Sequence, residues 1–438
     1  MTSLTVIGCG YLGAVHAACM AHLGHDVVGI DTDLSVVEML SAGKAPFFEP
    51  GFQEMLEAAL ATGRLTFTSD ITAARGRAVH FVCVGTPQKR NEYAADMTHV
   101  DAAVNSLAPQ LSAGDLVVGK STVPVGTARR LAVMIAAAEP SAMLAWNPEF
   151  LREGFAVQDT LHPDRLVFGL PAGADADVAR GILDVVYAAP LADGVPCVTT
   201  DYATAELVKA AANSFLATKI SFINAMAEVC EASGADVVQL ADAIGHDARI
   251  GRRFLNAGLG FGGGCLPKDI RAFMARAGEL GADQALAFLR EIDSINMRRR
   301  VRMVDLAREV CGGSIAGKRI AVLGLAFKPD SDDVRDSPAL NVAAQMQLQG
   351  ASVVVTDPKA VENAQRRWPD LCYVATAEDA AAGADLVLLL TEWDQYLSLD
   401  PEKFGSIVAA RRILDGRNAL DPVAWRGAGW TYRALGRP

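Results

Sequence analysis

The stretch Leu4-Thr5-Val6-Ile7-Gly8-Cys9-Gly10-Tyr11-Leu12-Gly13 reads as a short apolar strand, a glycine turn and the start of a helix. The next apolar run, residues 25–30, ends at Asp31. The three glycines do different work in such a strand–turn–helix unit. Gly8 allows the tight turn, Gly10 lets backbone N–H groups approach a pyrophosphate, and Gly13 lets the helix pack closely on the strand. The Asp31 carboxylate can accept both hydroxyls of a ribose and would repel a 2′-phosphate, so NAD is expected rather than NADP. A lone GxGxxG would fit a structural turn equally well. Strand, helix and acid together make it a dinucleotide fingerprint.

Working outward, buried-strand patterns recur at residues 78–84, 116–119, 143–145 and 165–169, with helical stretches between them. This alternation predicts a doubly wound parallel sheet over residues 1–200. From Asp201 to about Gly234, Ala, Leu, Ile, Phe and Met recur at helical spacing with no breaker, a length that suits a domain connector or a dimer interface. Helical patterns continue to about Cys311. Strand patterns then return at 319–324, at 351–356 ending in Asp357, and at 385–391. The pairs Gly8 with Gly324 and Asp31 with Asp357 repeat one logic. The predicted fold is therefore α/β: two Rossmann-like domains, 1–200 and 313–438, joined by a long central helix and a helical middle domain, 201–312. The second domain lacks the later glycines of the fingerprint and is expected to hold something other than a dinucleotide.

Composition narrows the function. A net charge of −11 argues against a broad nucleic-acid or anionic-membrane surface, and no apolar run approaches a membrane span. Met1 leads straight into a strand pattern, so no signal peptide is expected. The eight cysteines are scattered, with no CxxC pair and no His at metal-ligand spacing, as for free thiols in the reducing cytoplasm; no metal site is expected.

Cys265 stands out among them. It lies in Phe261-Gly262-Gly263-Gly264-Cys265-Leu266-Pro267-Lys268-Asp269, just before a helical pattern that starts at Ile270. Glycines let backbone approach a ligand, and a thiol at a helix N-terminus near Lys268 is expected to have a depressed pKa and to be nucleophilic. A small buried core thiol, the bland alternative, suits Cys83 or Cys19 better. Lys209 and Asn213 share a face of the long helix; they could stabilise an oxyanion, although a solvated helix face explains the spacing equally well. Two loops, Ser121-Thr122-Val123-Pro124 and Asn147-Pro148-Glu149-Phe150-Leu151-Arg152-Glu153-Gly154, follow strands, where ligands of doubly wound sheets collect. Glu149 and Glu153 are candidates for base or ligand roles.

Together these segments, with Gly85-Thr86-Pro87, Ala326-Phe327-Lys328, Asp333…Arg335 and Asp415-Gly416-Arg417, resemble the UDP-glucose/GDP-mannose dehydrogenase family over essentially the whole chain. The resemblance implies a four-electron oxidation of a nucleotide-sugar C6 alcohol to the acid, two NAD being used in turn. Cys265 would form a thiohemiacetal and then a thioester. Lys209 and Asn213 would stabilise oxyanions, Glu149 would act as base in hydrolysis, and Asp269 and Thr122 would position water. Gly85, Thr86, Thr122, Glu153, Lys268 and Arg335 would contact the cofactor. Phe150, Leu151, Arg152 and Glu153 would line the substrate site with Phe254, Leu255, Asn256, Gly258 and Gly262. Lys328, Arg417 and Arg249, the last from a partner subunit, would meet the diphosphate or sugar. A homodimer through the long helix is implied as well.

The chain departs from the family at Phe48, where tyrosine is usual, at Val36, where a basic residue is frequent, and at Gly264, where serine is usual. UDP-glucose is the expected substrate because the loop reads Cys-Leu-Pro-Lys-Asp, with dTDP-glucose, GDP-mannose or an N-acetylhexosamine nucleotide as alternatives. A two-electron hydroxyacid or 6-phosphogluconate type dehydrogenase would leave Cys265 unexplained. An NAD-sensing module would bind without turnover.

Overall fold

A computed structural model describes residues 1–437. Two parallel-sheet Rossmann-like folds, one at each end of the chain, flank a helical middle region. Contacts divide the chain into two compact units, Met1–Ala212 with Arg271–Gly281, and Asn213–Ile270 with the chain from Ala282 onward.

The first unit is built on an eight-stranded sheet: β1 (Ser3–Ile7), β2 (Asp26–Ile30), β3 (Leu65–Thr68), β4 (Val79–Val82), β5 (Leu116–Gly119), β6 (Met143–Trp146), β7 (Leu166–Leu170) and β8 (Cys197–Asp201), in the order β3-β2-β1-β4-β5-β6-β7-β8. Strands covered on both faces are continuous apolar runs, and β4, β5, β6 and β7 are buried at every residue. The expectation of an all-parallel sheet needs one correction. The β6–β7 pairing is antiparallel, through the single pair Trp146 and Gly169. The edge strands β3 and β8, half exposed and mixed in composition, carry no such apolar run.

The second unit carries a six-stranded, all-parallel sheet: β9 (Arg319–Leu323), β10 (Ser352–Thr356), β11 (Cys372–Tyr373), β12 (Leu386–Leu389), β13 (Arg412–Asp415) and β14 (Thr431–Ala434), ordered β11-β10-β9-β12-β13-β14. Counted from its own first strand, this is the order of the first six strands of the other sheet. Helices Val237–Gly245 and Phe288–Val310 precede it.

The long helix is Tyr202–Ser233, 32 residues. Small side chains such as Ala205, Ala217, Ser221 and Ala227 lie on its fully buried side. Leu207, Phe215, Phe222 and Val229 stay 38–66% exposed. Their spacing of seven or eight residues puts them on one face. No helix among the described residues is long and apolar enough to cross a membrane.

Candidate active site

In the first unit the sequence-predicted residues gather at the carboxyl ends of the central strands. The helix Tyr11–His22 starts directly after Gly10, which has no side-chain cap, so its N-terminal N–H groups face outward from the turn. A Cβ at Gly10 would meet nothing within 4 Å, whereas one at Gly13 would lie 1.8 Å from the Gly8 carbonyl oxygen. Gly10 therefore leaves room for a ligand against the backbone, and Gly13 closes helix onto turn. Asp31 accepts the Cys9 N–H (2.6 Å) and the Asp33 N–H (2.9 Å), one on each oxygen, which ties the acid to the turn and leaves lone pairs for a ribose. Open glycine, uncapped helix start and part-satisfied acid fit an NAD.

The neighbouring loops are stitched together. Thr86 donates to the Thr122 carbonyl (2.7 Å) and Ser121 to the Val84 carbonyl (2.7 Å), so Gly85, Thr86 and Thr122 stand beside the fingerprint turn. Glu49 is buried and accepts from the Tyr11 hydroxyl, from Gly154 N–H (2.6 Å) and from Ala156 N–H (2.7 Å), clamping the 147–154 loop to the fingerprint helix. Burial and the bonded Glu49 carboxylate push the Tyr11 phenol far above its ordinary pKa.

Within that loop Glu149 is held on both oxygens. Oε1 accepts Phe150 and Leu151 N–H (2.7 and 3.0 Å), and Oε2 meets the buried Lys120 ammonium at 2.9 Å. Burial alone would raise the carboxyl pKa, but Lys120, the Phe150 N–H and Lys209 together hold it below the usual range. A carboxylate so stabilised is a weak base, which bears on the role expected for it. Phe150 lies under two cations, Arg165 at 3.9 Å and Lys209 at 5.5 Å. Arg152 makes a two-pronged pair with Asp159 (2.9 and 2.5 Å), and Leu151 and Glu153 are partly exposed.

In the second unit, Asp269 N–H donates to the Cys265 carbonyl (2.9 Å), which makes Cys265 the N-cap of the helix Leu266–Glu279, with its side chain exposed. The helix thus starts four residues before the Ile270 expected from periodicity, because proline at Pro267 is tolerated in a first turn. Asp269, buried, accepts from Asn213 Nδ2 on one oxygen and pairs with Lys268 Nζ on the other, both at 2.6 Å. The Asn213 carboxamide is thereby oriented.

The glycine loop is fastened from three directions. Gly258 N–H donates to Asn224 (2.8 Å), Asn296 bonds both backbone groups of Phe261 (2.7 and 3.0 Å), and Arg300 spans Phe261 and Asp336. Gly258 and Gly262 pack on backbone, their Cβ positions 2.5 Å from the carbonyls of Gly416 and Asp336. A Cβ at Gly264 would lie 2.3 Å from the Arg335 guanidinium carbon, so this departure from the family gives that guanidinium its place. Arg335 also bonds Asp333 through Nε and Nη2. Arg417, expected to meet substrate, donates to three carbonyls, of Leu390 (2.7 Å), Gly260 (3.2 Å) and Phe327 (2.9 Å), and pairs with Glu392 at 3.3 Å. Within its own chain it positions the loop. Lys328 lies 5.6 Å over the Phe327 ring; Phe254 has a left-handed φ of 66°; Leu255 is buried and Asn256 accepts from Arg252. Arg249 is 89% exposed and pairs with Asp247.

Sequence reasoning misses Lys120, Glu49, Asn224, Asn296, Arg299 and Arg300. In Asn296-Met297-Arg298-Arg299-Arg300-Val301-Arg302 four arginines fall within five residues, yet Arg299 and Arg300 are 0% and 2% exposed. Only tertiary packing separates them from Arg298.

Fold and site define an NAD-dependent dehydrogenase with a second, non-dinucleotide Rossmann-like domain. Residues 2–188 match the NAD binding domain of the UDP-glucose/GDP-mannose dehydrogenase family, residues 203–298 its central domain and residues 321–422 its UDP binding domain. The chain belongs to that family and is an NAD-dependent oxidoreductase. It is 41% identical to UDP-glucose 6-dehydrogenase of Rhizobium meliloti (strain 1021), over 99% of each chain. It is 38% identical to UDP-glucose 6-dehydrogenase TuaD of Bacillus subtilis (strain 168), covering all of this chain and 94% of that one. The solved UDP-glucose dehydrogenase of the hyperthermophilic archaeon Pyrobaculum islandicum superposes with a TM-score of 0.90 at 38% identity, over 100% of this chain and 98% of that one.

Proposed function

We propose that the chain oxidises the C6 alcohol of a nucleoside-diphosphate hexose to the uronic acid, with UDP-glucose as substrate and UDP-glucuronate as product. The observation that carries this reading is Cys265, an exposed cysteine directly before the first residue of a helix and directly after a glycine loop, in the same unit as the UDP binding domain. NAD, when bound, supplies the oxidising chemistry, accepting a hydride from the alcohol and again from the thiohemiacetal.

Between the two oxidations the Cys265 thiolate adds to the aldehyde carbon; a C–S bond forms and the carbonyl oxygen takes a proton. At the end water adds to the thioester, the C–S electron pair returns to sulfur, and the acid leaves. The sum is alcohol, two NAD⁺ and one water giving carboxylate, two NADH and three protons. Lys209 and Asn213, one helical turn apart, stabilise the oxyanions. Asp269 and Thr122 position water, Glu153, Lys268 and Arg335 face the cofactor, and Lys328 faces the diphosphate.

Two further parts of the reading rest on surfaces and thiols. The apolar stripe Leu207, Phe215, Phe222 and Val229 supports a homodimer, to whose partner site the exposed Arg249 contributes. None of the eight cysteines is joined in a disulfide, which supports a reducing, cytoplasmic setting. Light scattering at micromolar concentration is expected to give at least a dimer; a fully active monomer removes both the dimer and the role of Arg249. Offering UDP-, dTDP- and GDP-hexoses and counting NADH per sugar tests the substrate. UDP-glucose is expected to give the highest kcat/KM, with two NADH each. A higher kcat/KM with another base or sugar replaces that assignment.

A further inference from the structure

We propose that Glu206, a buried acid that no motif singles out, is a positioning residue for the oxidation: it fixes the loop that carries Thr122 against the turn of the long helix that carries Lys209. This role rests on the reading above of Thr86 and Thr122 as cofactor contacts and of Lys209 as an oxyanion partner. Glu206 is 2% exposed and sits three residues before Lys209, so the two share a face of the helix Tyr202–Ser233. Its Oε2 accepts the Gly126 N–H at 2.7 Å and its Oε1 the Ala128 N–H at 2.6 Å, across 80 and 78 residues of chain.

These N–H groups belong to the start of the helix Thr127–Ala138, which has no side-chain cap of its own. The residue at the cap position is Gly126, whose φ of 98° is left-handed. Serine or aspartate, the usual local caps, adopt extended backbone there, so this turn excludes them. The cap comes from the long helix instead. Both partners are donors, so an acceptor is needed on both oxygens, which a carboxylate supplies. A local cap would steady the helix alone; this one also sets where the loop stands relative to Lys209.

The Thr122 loop is thereby held at both ends. At its start Ser121 donates to the Val84 carbonyl and Thr86 to the Thr122 carbonyl, both at 2.7 Å. At its exit stand Glu206 and Arg276, whose Nε donates to the Val125 carbonyl at 2.9 Å. The first turn of the long helix is seated on the same sheet: Tyr202 donates to the Leu144 carbonyl of β6 at 2.7 Å, and the Ala205 methyl would lie 2.6 Å from a Cβ on Gly169 of β7. Burial raises the Glu206 pKa above its ordinary value, while the Ala128 and Gly126 N–H groups and Arg276 pull against it.

The test compares E206Q and E206D with wild type in the full chain. Calorimetry gives NAD affinity without sugar, turnover gives kcat and both KM values, and mass spectrometry follows hydrogen exchange over residues 121–131. Thermal unfolding shows which variants are folded at the assay temperature. Glutamine keeps the shape but turns an NH2 group toward a backbone donor. E206Q is expected to bind NAD about tenfold more weakly and to lose about tenfold in kcat, with the KM for nucleotide-sugar changed less than about twofold. Exchange over 121–131 rises. E206D, one methylene shorter yet still an acceptor on both oxygens, falls between wild type and E206Q.

A folded E206Q with wild-type NAD affinity and kcat, changed only in unfolding temperature, overturns the proposal and leaves Glu206 as a helix cap. If E206Q does not fold, R276M decides: freeing the other fastening at the loop exit is expected to weaken NAD about threefold, and unchanged affinity overturns the proposal. T86V tests the reading beneath it. NAD binding unchanged in T86V removes the loop as a cofactor contact, and the role of Glu206 with it; weakened binding in T86V beside wild-type binding in E206Q removes the role of Glu206 alone. Failure of the uronic-acid reading shows elsewhere, in the NADH count per sugar, which NAD binding without sugar does not involve.

Discussion

The two Rossmann-like sheets share strand order and a glycine after the first strand, yet their acids do opposite work. Asp31 accepts two backbone N–H groups and keeps lone pairs open to solvent. Asp357 is buried and accepts five donors: the N–H groups of Leu325, Ala326, Lys359 and Ala360, and the Trp393 indole. With about four lone-pair positions on a carboxylate, nothing is left there for a ribose. Gly10 lies under open space, while its counterpart Ala326 is fully buried. Topology is thus permissive, and a few residues at the first turn decide whether a dinucleotide can be held.

The largest effect that would sharpen this contrast is at Asp357. Asp357→Asn replaces an acceptor-only group by one with two donors facing donors, and is expected to cost about 3 kcal/mol of stability. The KM for NAD should stay unchanged. Denaturant unfolding and NAD titration check both; a raised KM would mean the second acid also serves the cofactor. At Asp31 the roles reverse. Asp31→Ala is expected to raise the KM for NAD about 10- to 100-fold, the worth of a charged hydrogen bond, and to narrow the preference over NADP. Wild-type turnover with NADP equal to that with NAD breaks the comparison.

The smallest effect is at Gly10. Its φ of −67° is open to any residue and its Cβ position is empty, so Gly10→Ala should shift stability by no more than about 1 kcal/mol. NAD should bind about tenfold more weakly, because the methyl group stands where the pyrophosphate approaches. Unchanged affinity by calorimetry would mean the ligand does not lie against this backbone.

The central strands other than β13, and the long helix, are legible in the sequence because burial on both faces, or over thirty residues without a breaker, leaves a local pattern; β13, Arg-Ile-Leu-Asp, is buried but holds only two apolar residues. The strands β8, β11 and β14 leave none: they lie at sheet edges, where one residue in two or fewer is fully buried. The same divide runs through the site. Cys265 is legible from the glycines beside it in the chain. Lys120, in Gly-Lys-Ser, reads as any loop lysine, since the groups that cage it are 27, 29 and 67 residues away. Arg417 shows the opposite case, a cation whose apparent freedom in sequence ends on three carbonyls in the fold.

If Cys265 turns a two-electron dehydrogenase into a four-electron one, the stoichiometry of the reaction must show it. A thiolate is needed only for the aldehyde-to-acid half, since hydride loss from an alcohol calls for no nucleophile. With limiting UDP-glucose and excess NAD, wild type should give two NADH per uronate and no free aldehyde. Cys265→Ala should form no acid and at most one NADH per sugar. Two NADH per sugar from Cys265→Ala at a near wild-type rate would contradict the covalent mechanism and leave the thiol as packing in a glycine loop.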